Sequence, residues 1–287
     1  MTTVSVPLPR PVEAADVEHF RALGFVVLRD AIDPATLAAL QAEADEAIRD
    51  ATGPRYLVPR EGGGIEGHYI PATGERTPVS LALACAFAAV AESFLGNSLL
   101  LSQATHVVLF DMATWHTDTG HGVPSVKVVA YLDPLDAGTG ALRVLPGSHN
   151  VPYEHLASFF HGGRFRDEGG WREAVAAAPG HVVATMPGDV IVFDEHLWHA
   201  SANGRNRRQW AASYVADPAT REDEAAVARY LASQFVAGRR LDYDPDRYPY
   251  YGAHFRRVAP PRWVEQLGRL GAFEAAAEEE RTDTGPC

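Results

Sequence analysis

From residue 98 onward the sequence consists of short β-rich segments separated by turns that contain glycine or proline. Many short strands with such turns predict a sandwich or a barrel, because each sheet must bury its apolar face against a second layer. The predicted class is mainly β with flanking helices (α+β). The predicted strands are 98–111, 114–118, 124–132, 140–145, 181–186, 189–194 and 207–216.

Helical patterns flank this β-rich region. The clearest begins at Asp33, an N-cap residue that is followed by Pro34 at the first helical position. Helices are predicted at 16–23, 34–51, 78–95 and 220–237, and a short strand at 24–28. We expect one domain over 1–287, with a core at about 98–216, a helical N-terminal part at 12–97, and a C-terminal helix and tail at 217–287 whose acidic end frays.

Two segments lack a regular pattern. Residues 53–78 are rich in glycine and proline, and residues 151–179 form an insert of aromatic and charged residues. Long loops inside a compact domain are often binding loops or lids. We expect both segments, together with the aromatic tail after residue 240, to build a substrate pocket.

Three residues form a candidate metal site. His116 and Asp118 are two positions apart, so on a strand both side chains would point to one face. His199 can supply a third ligand, and two imidazoles with one carboxylate are the ligands of a mononuclear iron(II) oxygenase site. An H-x-D pair alone is weak evidence in a chain with 12 histidines. The rival histidines His121 and His196 have the wrong spacing, and the alternative role of the trio is a buried hydrogen-bonded cluster.

The residues between and around these candidates carry a family resemblance. A glycine-rich stretch follows the H-x-D pair, and an apolar strand at 189–194 then leads to His199 and to the arginines 205, 207 and 208. The stretch reads Gly140-Ala141-Leu142-Arg143-Val144-Leu145-Pro146-Gly147-Ser148-His149. In this order the motifs resemble those of the phytanoyl-CoA dioxygenase family, over roughly residues 16 to 216. The resemblance implies a double-stranded β-helix, or jelly roll (cupin-like), with iron(II) at one open end, 2-oxoglutarate as cosubstrate, and dioxygen.

The resemblance also implies contacts to 2-oxoglutarate. In the family an arginine about ten residues past the distal histidine binds the far carboxylate, and a residue at the position of Ser201 also contacts it. The loop 203–206 is short here, so Arg207 and Arg208 both remain candidates, with Arg207 favoured because it shares a strand face with small and polar residues. Lys127 and Tyr131 share a face of the strand 124–132. If that face lines the barrel, both side chains approach the cosubstrate; if it does not, Lys127 is solvated.

The composition restricts the partners. A formal net charge of −12 argues against nucleic acid, which requires clustered cations, and weakly against an anionic membrane surface. The sequence shows no run of about 18 apolar residues, and its two cysteines cannot form a disulfide framework. We therefore expect a cytoplasmic protein with a small-molecule partner, and the sequence carries no signal for an oligomeric state.

The function implied by the resemblance is oxidation of a small organic molecule, such as an intermediate of secondary metabolism, with release of succinate and carbon dioxide. Related halogenases have a small residue in place of the aspartate, so Asp118 favours hydroxylation over halogenation. Two alternatives remain open: a cupin-type metal isomerase or hydrolase that does not use 2-oxoglutarate, and a non-catalytic metal-binding protein.

Overall fold

The structure is a computed structural model that describes residues 6–7, 11–51, 67–109, 112–120, 122–161, 173–175, 177–178, 180–234 and 243–282. Ten strands in this part of the chain form two antiparallel sheets. The large sheet has the order β1-β8-β5-β10-β3-β2, and the small sheet has the order β4-β9-β6-β7. The strands are β1 Phe25–Leu28, β2 Gly67–Pro71, β3 Leu99–Leu109, β4 Ala113–His116, β5 Ser125–Tyr131, β6 Leu142–Val144, β7 His181–Val183, β8 Val190–Asp194, β9 His199–Ser201 and β10 Arg207–Ala216.

The register of the large sheet decides which side chains face the small sheet. β10 pairs with β5 so that Gln209 lies opposite Tyr131 and Ser213 lies opposite Lys127. Side chains alternate along a strand, so these residues point to the same interior face. The opposite face of the sheet packs against the helices. The two facing sheets form the jelly roll that the resemblance implies.

Helices cover the outer face of the large sheet, except for α4 (Tyr153–Phe160), which packs on the small sheet. The other helices are α1 Ala14–Leu23, α2 Pro34–Asp50, α3 Pro78–Leu95, α5 Arg221–Ser233, α6 Ala253–Val258, α7 Pro261–Arg269 and α8 Ala272–Thr282. By length and composition α3 could cross a membrane. Ten of its residues are buried, nine of them in the main apolar core, which is typical of the central helix of a globular fold.

Most predicted elements are present with boundaries shifted by a few residues, and several elements of the structure were not predicted. The loop predicted at 53–78 contains β2, which pairs with β3, and the insert contains α4. The segment from His199 to Ser201 is a strand. The prediction that the acidic end frays was wrong for residues 272–282, which form α8. The helices α6 and α7 precede it, and Phe255, Trp263 and Leu267 are buried in the main core.

Candidate metal centre and adjoining cavity

Three side chains with metal-ligating atoms converge between the two sheets: His116, Asp118 and His199. Their ligating atoms all lie within 4.8 Å of one another. Oδ1 of Asp118 is 3.8 Å from Nε2 of His116 and 3.6 Å from Nε2 of His199. The centroids of the two imidazole rings are 4.2 Å apart. The donor types and their proximity fit one metal ion of the kind held by a facial triad.

Hydrogen bonds to the backbone orient both imidazoles. Nδ1 of His116 lies 2.6 Å from the carbonyl oxygen of Thr114, and Nδ1 of His199 lies 2.8 Å from that of Leu197. A carbonyl oxygen can only accept, so in each neutral ring Nδ1 carries the proton and donates it. Each Nε2 atom therefore keeps its lone pair and points toward Asp118, as a metal-ligating histidine requires.

The glycine-serine turn of the sequence motif fixes the start of β9. Gly147 has a φ of 79°, a left-handed conformation that glycine adopts without strain. The adjacent Ser148 Oγ accepts a hydrogen bond of 2.9 Å from the backbone N–H of Trp198, and the Leu145 N–H donates to the Trp198 carbonyl. Both the N–H and the carbonyl of Trp198, which directly precedes His199, are therefore hydrogen-bonded.

Asp118 is not on a strand, and the prediction of a single strand over 114–118 was wrong. β4 ends at His116, where its pairing with β9 is irregular. The backbone N–H of Asp118 instead donates a hydrogen bond of 2.9 Å to the carbonyl of Glu195, just after β8. Asp118 is therefore brought to the histidines by this link to the large sheet and not by strand alternation.

The three groups have the protonation states of metal ligands at neutral pH. Burial, together with the neighbouring His116, lowers the pKa of His199 to about 3, and burial lowers the pKa of His116. Burial by itself would raise the pKa of Asp118, but Lys127 and the two imidazoles lower it, and its pKa lies well below the usual range. Neutral imidazoles and a carboxylate anion can bind a cation without first losing a proton.

An open cavity adjoins the three groups. Both sheets contribute to its wall, which is apolar over most of its area and carries a few polar side chains, as is common in small-molecule sites. The lining residues are Leu109, Ala113, His116, Asp118, Lys127, Val129, Tyr131, Leu142, Phe193, His199, Ala200, Ser201, Arg207 and Gln209.

Arg207 brings a buried positive charge to this cavity. The residue is only 3% exposed, and its guanidinium lies 5.6 Å from the centre of the Tyr131 ring. Its Nη1 donates a hydrogen bond of 2.5 Å to the carbonyl of Gly140. Among the described residues no carboxylate forms an ion pair with Arg207, and its Nε has no hydrogen-bond partner. Burying an unpaired charge is costly, so this guanidinium is expected to meet an anion.

Gly140 allows its backbone to lie close to that of Gly204. Its φ is 100°, and a Cβ atom added there would lie 2.6 Å from the Cα atom of Gly204. Any larger residue would push these two backbone segments apart. The first glycine of the sequence motif therefore allows this close approach, and its carbonyl oxygen accepts the hydrogen bond from Arg207.

Arg208 does not line the cavity. It points to the other face of β10, where its Nη2 is 2.6 Å from Oδ1 of Asp133 and its Nη1 is 2.5 Å from Oδ1 of Asp45. Its charge is therefore already paired outside the barrel, in contrast to that of Arg207.

The remaining predicted cosubstrate residues lie on the cavity wall. Ser201 is 1% exposed, and its Oγ accepts a hydrogen bond of 3.0 Å from the backbone N–H of Ala113. Tyr131 is 3% exposed, and burial raises its pKa. Lys127 is not solvated, since its side chain is only 17% exposed, and its Nζ lies 3.1 Å from Oδ2 of Asp118.

A second carboxylate lies behind the candidate metal centre and was not foreseen from the sequence. Glu195 is 1% exposed, and the hydroxyl of Tyr230 donates a hydrogen bond of 2.6 Å to its Oε2. Burial and the nearby charge of Asp118 raise the pKa of Glu195. The sequence signal that could have indicated this residue is its position directly after the apolar strand 189–194. Of the rival histidines, His196 contacts Asp194 at 2.8 Å, and His121 lies outside the described residues.

The segments expected to build a substrate pocket are described only in part. The described residues of the insert pack behind the histidine strands, where Phe160 contacts Trp115 and Trp198. The tail tyrosines Tyr250 and Tyr251 are buried in the main core on the helical side. Residues 52–66, 162–172 and 235–242 lie outside the described residues.

Comparison with known proteins identifies the class. A family model described as phytanoyl-CoA dioxygenase matches residues 20–209, more than half of the chain. The chain belongs to this family. No curated protein sequence matches the chain.

Solved structures with the same fold have low sequence identity to the chain. AviO1 from Streptomyces viridochromogenes Tue57 is 23% identical with a TM-score of 0.56, over 73% of this chain and 96% of that one. EctD from S. alaskensis, solved with 2-oxoglutarate and 5-hydroxyectoine, is 23% identical with a TM-score of 0.53, over 72% and 77% of the two chains. The epimerase SnoN in complex with Fe3+, alpha ketoglutarate and nogalamycin RO is 18% identical with a TM-score of 0.56, over 71% and 83%.

Proposed function

We propose that this protein is a non-haem iron(II)- and 2-oxoglutarate-dependent dioxygenase. The observation that carries the proposal is the pairing of two features in one cavity. A two-histidine, one-carboxylate donor set lies on its wall, and the same wall holds the buried guanidinium of Arg207, which has no carboxylate partner in the described part of the chain. A dicarboxylate that chelates a metal through one end and binds an arginine through the other satisfies both features.

His116, Asp118 and His199 would hold the iron. Iron bound there, with 2-oxoglutarate and dioxygen, supplies oxidative decarboxylation of the cosubstrate to succinate and carbon dioxide, coupled to oxidation of the substrate. Structures of SnoN with Fe3+ and alpha ketoglutarate and of EctD with 2-oxoglutarate support this choice of cofactors. The donor chemistry fits as well, because imidazole and carboxylate ligands suit iron(II).

Three residues would hold the far carboxylate of 2-oxoglutarate. Arg207 offers charged N–H donors that match a carboxylate, Ser201 offers a hydroxyl, and Tyr131 offers a phenol that burial keeps protonated. The apolar wall around them excludes water and so strengthens these contacts. Arg208 is not part of this proposal, because Asp133 and Asp45 already neutralise it.

The proposed reaction is hydroxylation, or another oxidation, of a small organic molecule. AviO1 comes from a Streptomyces species, and SnoN acts in nogalamycin biosynthesis, so an intermediate of secondary metabolism is the proposed substrate class. A metal isomerase or hydrolase on the same fold would need no cation at the position of Arg207. A non-catalytic metal-binding protein would need no cavity beside the metal.

Exchange of the two neighbouring arginines tests the proposal. Arg207→Gln should raise the dissociation constant for 2-oxoglutarate, measured by calorimetry on the manganese(II) protein without oxygen, by roughly 30- to 150-fold. This corresponds to about 2–3 kcal/mol for one lost charge-assisted contact. Arg208→Gln is the matched control and should leave the constant within about twofold, because that residue lies outside the cavity. Equal effects of the two changes, or none from either, would contradict the proposed carboxylate site.

A further inference from the structure

Lys127 is the only lysine in the chain, and it lies at the candidate metal centre. Its place on β5 opposite Ser213 directs its side chain to the interior of the barrel. Its Nζ is 3.1 Å from Oδ2 of Asp118, and both side chains are only 17% exposed. Salt screens an ion pair with so little exposure less than one on the surface.

The two oxygens of Asp118 have different neighbours. Oδ1 lies 3.6 and 3.8 Å from the Nε2 atoms of His199 and His116, whereas Oδ2 lies against the ammonium of Lys127. A carboxylate can bind a metal through one oxygen or through both. An ion bound by both oxygens of Asp118 would lose one of the positions that a facial triad leaves open.

We propose that Lys127 is a positioning residue that holds Oδ2 of Asp118 and so keeps this carboxylate a one-oxygen metal ligand. The inference rests on the proposed function, since the position kept open is one that the two chelating oxygens of 2-oxoglutarate and dioxygen need. Lys127 acts through Asp118 and not by binding the cosubstrate itself.

The charge of Lys127 has a second consequence. A cation beside the metal centre repels a bound divalent ion, and Lys127 also draws electron density from Asp118. Lys127 therefore lowers metal affinity while it preserves the open coordination position. Removing it should have opposite effects on the two ligands, because the metal binds at least as well and 2-oxoglutarate binds worse.

The test uses cobalt(II) and 2-oxoglutarate as probes of the full-length protein without oxygen. In Lys127→Met we expect a cobalt(II) affinity equal to or tighter than that of the unmodified protein, and a changed visible cobalt spectrum before 2-oxoglutarate is added. We expect the dissociation constant for 2-oxoglutarate to rise by roughly 10- to 100-fold, the scale on which activity falls when a group that orients a metal ligand is lost. Lys127→Arg, which keeps a cation and a donor, should move both readouts back toward those of the unmodified protein.

The outcomes separate this inference from the proposed function. Failure of the unmodified protein to bind cobalt(II) or 2-oxoglutarate would reject the proposed function itself. If the unmodified protein binds both, an unchanged cobalt spectrum in Lys127→Met rejects the positioning role, even when 2-oxoglutarate binding weakens. Loss of cobalt binding in that variant rejects it too.

A crystal structure of the unmodified protein with cobalt(II) and 2-oxoglutarate gives an answer that does not depend on any variant. One-oxygen ligation by Asp118 with Oδ2 still bound to Lys127 supports the inference. Lys127 turned toward 2-oxoglutarate overturns it.

Discussion

Asp118 is the residue from which the proposed reaction outcome follows. Its carboxylate is buried beside the two histidines and is ionised at neutral pH. In the proposed site it would occupy the position that related halogenases leave to chloride. We predict that one atom of dioxygen enters the organic product and that the other appears in succinate.

Isotopic oxygen measures this outcome. Once a substrate is found, turnover under 18O2 should add one heavy oxygen atom to the product, read by mass spectrometry. Turnover in 18O-labelled water under ordinary oxygen is the control and should leave the product largely unlabelled. A chlorinated product would contradict the role of Asp118, and an unlabelled cyclised or dehydrogenated product would reject hydroxylation while sparing the metal site.

Individual residues differed in how far the sequence could assign them. Strand alternation favoured Arg207 over Arg208, and the structure places the two on opposite faces of β10, with Arg207 alone on the cavity wall. The contact between Lys127 and Asp118 could not be predicted from strand alternation. Asp118 lies on a separate segment, whose path depends on a hydrogen bond to the backbone of Glu195.

At the scale of elements, the sequence pattern predicted those helices and strands whose ends are set by contacts between residues close in the sequence. The helix over Pro34–Asp50 was predicted to within one residue, because Asp33 accepts hydrogen bonds from two N–H groups of its first turn. The strand His199–Ser201 was missed because three residues are too few for a periodic signal. It exists through pairing with β4 and β6, two contacts distant in the sequence.

The helix α4 connects the insert to the candidate metal centre. Phe160 is 3% exposed and packs 5.2 Å from the Trp115 ring and 5.1 Å from the Trp198 ring, measured between centroids. These two tryptophans directly precede His116 and His199 in the chain. Because neighbouring strand residues point to opposite faces, the tryptophans pack behind the sheet while the histidines face the cavity.

We predict that Phe160→Ala destabilises the protein and weakens metal binding together. Truncating a buried phenylalanine costs about 3–5 kcal/mol of unfolding free energy, and here the loss falls on the two strands that carry the histidines. Phe159→Ala is the matched control. Phe159 is 55% exposed and its ring forms an edge-to-face pair with Phe160, so its truncation should lower the unfolding free energy by less than about 1.5 kcal/mol. Denaturant unfolding measures the change in stability, and cobalt(II) titration measures the change in metal affinity. Equal losses in the two variants would contradict the proposal that Phe160 supports the strands that carry the histidines.

At the scale of the whole molecule, the candidate site depends on both sheets at once. His116, His199 and Ser201 come from the small sheet, whereas Lys127, Tyr131 and Arg207 come from the large one. A ligand that bridges the metal and Arg207 would therefore cross-link the two layers. Any ligand that binds the folded chain alone raises its stability by mass action.

We predict that 2-oxoglutarate raises the melting temperature strongly only when a divalent metal is present, because the metal supplies one of its two attachment points. At a concentration of about 100 times its dissociation constant, a ligand stabilises by about 2.7 kcal/mol. For a chain of 287 residues this corresponds to a rise of roughly 4–5 °C. Differential scanning fluorimetry with manganese(II), without oxygen, measures the rise. His116→Ala should lose the metal-dependent part of it, since the remaining two ligands no longer form the triad, while Arg208→Gln should keep it. An equal rise with and without metal in the unmodified protein would show that 2-oxoglutarate binds without the His116, Asp118 and His199 centre.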